Sequence, residues 1–168
     1  MCGVHMIIKL CVKNRIMSGT SNRVIVFANP EDATRVAVMY PTGELPVEEL
    51  LRRHVDTSKP HLILDSSELP NEDDDFFEAW GIVEDKVVAD VSKARELHRK
   101  RLRDARIPLL AALDVKFMRA VESGDAAAQA SIAAEKQKLR DLPADPRIDA
   151  AGTCAELRAL SVEAMSSS

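Results

Sequence analysis

An apolar stripe in the second half constrains this chain more than any other feature. Val91, Ala94, Leu97 or His98, Leu102, Ala105, Leu109, Leu113, Phe117 and Ala120 recur at three- and four-residue steps, the repeat of one face of an α-helix. The spacing predicts a helix from Val87 to about Ser123, and such a face has to be buried against a neighbour. Gly124-Asp125 supplies a stop, and residues 126–141 place Ile132 and Leu139 on the face of a second helix. An antiparallel helical hairpin is therefore expected. Pro108 lacks an N–H and should kink or split its helix. "DLPADPRID" reads as a turn-rich connection, and Thr153 and Glu156 stand at capping-box spacing before a last short helix reaching about Val162.

The first half has a different period. Val24, Ile25, Val26 and Phe27 form a β-branched and aromatic run, Asn29-Pro30-Glu31-Asp32 is turn chemistry, and residues 35–40 return as a second strand. A β-hairpin is expected. "LPVEELLRRHV" follows, with Pro46 at the first helical position, Glu48 and Glu49 in the first turn and Arg52 and Arg53 near the end, all placements that suit the helix dipole. "PHLILD", residues 60–65, reads as a third strand. The fold class expected is α+β: a small antiparallel hairpin, helix and strand unit over 21–70, then the helical hairpin and short C-terminal helix over 86–168.

Between them, 71–85 combine an acidic run with Phe76, Phe77 and Trp80, three of the six aromatic residues of the chain. Rings so concentrated rarely stay in water, since each can bury about 150–250 Å². This stretch is read as an anchored linker joining the two units, with Phe76, Phe77 and Trp80 as candidate partner-binding residues. Residues 1–20 are read as an N-terminal extension, because coherent strand chemistry starts only near Asn22. An upstream start codon would explain them, and "MIIKLCV" could alternatively add an edge strand.

Chemistry-bearing patterns are sparse. "MCGVH" would place Cys2 at the N-terminus after methionine removal, as in amidotransferases that use an N-terminal cysteine nucleophile. The Gly- and Asn-rich loops of that class are missing, and the chain carries six scattered glycines. Cys2, Cys11 and Cys154 have no metal or redox spacing and suit a reducing compartment. His5, His54, His61 and His98 show no ligand spacing, and "EDDD" (72–75) lacks the alternating offsets of a Ca²⁺ loop. No enzymatic activity, catalytic residue, cofactor or metal is expected. No run approaches the roughly 18 apolar residues of a membrane span.

"KARELHRKRLRDAR" (93–106) holds seven Lys or Arg against Glu96 and Asp104. A basic helix can bind phosphates, which gives a nucleic-acid reading through Arg95, Arg99, Lys100 and Arg103. The net charge of −4 and the absence of interleaved aromatics favour a solvated face or a protein seam made by the same residues. The stripe through Leu102, Leu109, Leu113 and Phe117 is also longer than helix 126–141 can cover. Another protein chain is expected on the remainder; separately, a homo-oligomer counts among the candidate partners.

The order of motifs resembles small proteins of tailed bacteriophages. It runs from "VIVFANPEDATRVAVMYP" through "ELP" and "FFEAW" to "DVSKARELHRKRLRDARIPLLAALDVKFMRAVESGD", and covers roughly residues 23–160. "KQKLRDLP" is similar to the C-terminal segment of tail-fibre assembly proteins, the tail assembly chaperones; their common Trp-Pro ending is replaced by "LSVEAM". The resemblance implies a tail or virion structural or adaptor protein that binds other tail or virion proteins, in the tail region or in the host cytoplasm during assembly. An assembly chaperone absent from the finished particle is the alternative. The resemblance implies no catalytic residues.

Overall fold

The computed structural model describes residues 7–9 and 22–166, and of residues 7–9 the backbone alone. The chain divides into two compact units, Met1–Asp90 and Val91–Ser168. The α+β class expected from the sequence is what the structure has.

The first unit is built on an antiparallel sheet. Strands β1 (Ile7–Lys9), β2 (Arg23–Ala28), β3 (Val36–Tyr40) and β4 (His61–Asp65) lie in the order β1-β3-β2-β4. The expected hairpin is β2–β3, with Ile25 opposite Met39 and Phe27 opposite Ala37. Its turn is held by side chains, as the Asn-Pro-Glu-Asp chemistry requires: Asn29 Oδ1 accepts from the Glu31 N–H, and Asp32 Oδ1 from the Thr34 N–H. β4 pairs with the other edge of β2. Helix α1 (Val47–His54) uses Pro46 as its N-cap, one residue outside the expected first helical position.

Successive strand residues point to opposite faces, and here both faces are covered. Ile25, Phe27, Ala37 and Met39 pack with Val47, Leu50 and Val55 around α1. Val24, Val26, Val36 and Val38 form the other face, packed with Leu69, Phe77, Trp80 and Val87. Burial on both sides explains why β2 and β3 read as unbroken apolar runs and show no alternation.

The second cover corrects the linker expected at 71–85. Asn71–Ala79 winds as a 3₁₀ segment, and β5 (Trp80–Val83) and β6 (Lys86–Ala89) pair as a second hairpin. Trp80 is 1% exposed, its ring meets Phe77 edge-on at 5.0 Å, and its indole N–H donates to the Asp73 carbonyl at 3.2 Å. An open apolar sheet face needed a cover, and these rings supply it. Residues 87–90, expected to begin the long helix, belong to this unit. The β5–β6 turn carries no glycine signal, and Glu84 takes a positive φ of 54° there.

The second unit is organised on α2 (Val91–Glu122), which runs unbroken through Pro108. Pro108 and Asp104 are both exposed, so water can take the Asp104 carbonyl that the missing N–H leaves over. This corrects the expectation of a split helix. Gly124, with φ 69°, turns the chain, and Asp125 caps α3 (Ala126–Asp141) by accepting from the Ala128 N–H. The predicted hairpin is therefore present.

The connection "DLPADPRID" holds more helix than expected. After a 3₁₀ turn, α4 (Pro146–Ala150) starts with Asp145 as cap and Pro146 at its first position. α5 (Cys154–Ala159) opens on Thr153, whose hydroxyl accepts from the Glu156 N–H; the Glu156 carboxylate takes the Gly152 N–H, one residue before the cap. A break at residues 160–161 separates α5 from α6 (Val162–Ser166).

Candidate functional site

The sequence named seven partner-binding candidates, and the structure separates them. Phe76, Phe77 and Trp80 are buried in the first unit. Arg95, Arg99, Lys100 and Arg103 all lie on α2, where they divide again.

The inward face of α2 collects the C-terminal ends of its neighbours. The Arg95 guanidinium donates to the carbonyl of Ala151, the C-cap of α4, at 2.8 and 3.2 Å. His98 Nε2 meets the carbonyl of Leu160, the C-cap of α5, at 3.0 Å. Arg106 donates to the carbonyls of Leu139 at 3.4 Å and Arg140 at 2.5 Å, in the last turn of α3. Helix C-termini leave carbonyls unpaired and carry partial negative charge, so two guanidiniums and an imidazole at helical spacing act as caps in trans. Arg99 bridges Glu96 and Asp149 at 2.6 and 2.5 Å, which holds its guanidinium above its usual range, Asp149 contributing most. Lys100 and Arg103 are exposed.

His98 is a buried helix cap. Burial, then the nearby Arg101 charge, push its pKa below the ordinary value, while the hydrogen bond to Leu160 pulls the other way. His61 Nδ1 lies 2.9 Å from the Lys59 carbonyl, and His5, Cys2 and Cys11 fall outside the described residues. Among the described residues no cluster of His, Cys, Asp or Glu could hold a metal, and no helix is long and apolar enough to cross a membrane. None of Glu72, Asp73, Asp74 and Asp75 is without an interaction.

The stripe that buries α2 is not quite the expected one. Ala94, His98, Leu102, Leu113 and Ala120 are buried, with Arg106, Leu110 and Phe117 half-buried between them. Ala105 and Leu109, expected inside, are exposed. The inward line passes through Arg106 and Leu110 because the Arg106 head group has the α3 carbonyls to reach. Farther along, Lys136 of α3 pairs with Asp114 and lies 5.3 Å from the Phe117 ring centroid.

A second apolar line lies on the other side of α2. Ile107, Val115 and Met118 are 63%, 52% and 57% exposed, and Ala111 is exposed between them. Their spacing of four, four and three residues keeps them on one face, and Val115 sits about 200° around the helix from buried Leu113. From Ile107 onward α2 is thus apolar on two sides, one packed and one open. Sequence reading missed this line because it sought a single stripe. The signal was there: Ile107, Ala111, Val115 and Met118 recur at steps of four, four and three, a second line at helical spacing.

Comparisons with protein families, with curated proteins and with solved structures find nothing that matches this chain.

Proposed function

We propose that this chain is a non-enzymatic assembly protein that works by binding other proteins through the outer face of α2. The observation that carries the reading is the second apolar line, Ile107, Ala111, Val115 and Met118, left open on a helix whose first face is already buried. Contiguous exposed apolar surface marks contact sites. The setting, a tail or virion component that attaches or assembles fibres, is supported by the sequence resemblance alone.

The nucleic-acid reading has less behind it. Arg95, Arg99 and Arg106 are committed to carbonyls and carboxylates of their own unit, which ties up three of the seven basic side chains of the segment that a phosphate backbone would need. The test is affinity capture of the tagged full chain during growth of the phage that encodes it, beside Met118→Glu. Tail or fibre proteins recovered with the parent and lost with Met118→Glu are expected. Equal recovery with both, or recovery of no tail protein, counts against the reading.

A further inference from the structure

The outer face of α2 carries charges as well as apolar residues, and their order says what can cover it. Lys100 and Asp104 precede the apolar line, and Arg119 and Glu122 follow it. All four are exposed, and none takes part in the ion pairs that hold this unit together. Lys100, Asp104 and Glu122 share the angular sector of Ile107, Ala111, Val115 and Met118, and Arg119 flanks it, at about 100° per residue.

We infer that this face binds a second copy of the chain, with the two α2 helices antiparallel and crossing at Ala111. This deepens the proposal that the face is a contact surface and names its first occupant. An isologous two-fold contact sets each residue before Ala111 against the residue equally far beyond it. Lys100 then faces Glu122 of the second copy, eleven positions on either side. Ile107 faces Val115, and Asp104 falls beside Met118 and Arg119. Two opposite-charge pairs form, each made twice. Ala111 at the crossing, with Pro108 one turn away, lets the backbones approach closely.

The parallel arrangement of the same face places Lys100 on Lys100, Asp104 on Asp104 and Glu122 on Glu122. Like charges so placed repel, so the pattern selects direction as well as partner. The contact spans about 33 Å of helix, which buries less than the roughly 800 Å² per partner of a standard interface. A reversible dimer in the micromolar range is the expectation.

Sedimentation of the full chain, from low-micromolar to near-millimolar concentration, tests this. Dimerisation is expected, weakened about tenfold or more by Ala111→Arg, since a charged side chain at the crossing must be desolvated or the contact opened. Glu122→Lys should weaken it roughly fivefold, because the pair it reverses occurs twice. Lys100→Glu combined with Glu122→Lys should restore it. The positions are exposed, so melting of each variant should match the parent. A monomer at every concentration, a dimer indifferent to Ala111→Arg, or a double variant no tighter than Glu122→Lys each overturns the inference. A monomer that still loses its captured tail proteins with Met118→Glu overturns the dimer while leaving the proposed function in place.

Discussion

Two arginines four residues apart in the basic segment, Arg95 and Arg99, differ in fate from their neighbour Lys100. Arg95 and Arg99 are fixed to carbonyl and carboxylate oxygens, whereas Lys100 points to solvent. Arg95→Ala should therefore cost about 1.5–3 kcal/mol, as for a hydrogen bond from a charged group, and Lys100→Ala less than about 0.5 kcal/mol in the monomer. Urea unfolding of both at dilute concentration decides this; equal midpoints would show that the carbonyl contact contributes nothing. His98 adds a pH dependence. Its pKa is lowered on folding from an ordinary value of 6.5, so below that value the unfolded chain binds the extra proton. The stability it contributes is complete above the ordinary histidine range and is lost as pH falls below it. His98→Gln keeps a donor for Leu160 without the titration, and its unfolding midpoint should fall less steeply on acidification. Parallel slopes for the two proteins would remove His98 as the cause. None of these roles could be read from sequence. Arg95, His98 and Arg106 show only that polar groups share a helical period, and the carbonyls they meet lie about 35 to 60 residues away, across turns whose geometry no local pattern specifies.

Among the elements, those with strong local chemistry were legible. The hairpin β2–β3 declared itself through β-branched runs around an Asn-Pro-Glu-Asp turn, and α3 through Gly124 and Asp125. β5 and β6 did not: each has four residues, their turn lacks glycine, and the aromatic rings looked like a patch because the sheet face they cover lies 40 to 60 residues earlier. On α2 the position of Pro108 was plain, but its effect depended on which side met water. A proline inside a helix is about 3 kcal/mol worse than alanine, and here solvent softens that. Pro108→Ala should stabilise the second unit by about 1–3 kcal/mol; a lower urea midpoint would mean the proline maintains a bend that the packing needs. The two faces of α2 should answer differently. Leu113→Ala ought to cost about 2–5 kcal/mol through the cavity it leaves, and Met118→Ala less than about 0.5 kcal/mol in the monomer. Comparable losses at both sites would show that the outer face is covered within the chain itself.

Taken whole, the molecule places its two secondary-structure periods in separate units that meet in sequence at residues 90 and 91. The expected boundary near Pro70 fell short because the first sheet needs residues from beyond it. Residues 1–20, read as an extension, contain β1, whose three residues pair with β3. Starting the chain at Met17 would bare the edge of β3, an unpaired strand edge of the kind that templates aggregation. A lower melting temperature and concentration-dependent precipitation are expected by calorimetry and light scattering; a variant that melts like the full chain would show that β1 is dispensable. The double cover of the sheet has a consequence for synthesis. All four of its strands leave the ribosome before Phe77, Trp80 and Val87 do, so for that interval one apolar face is complete and bare. A nascent chain halted between Asp65 and Phe76 is the form most exposed to wrong partners, and release of the residues up to Ala89 closes the window.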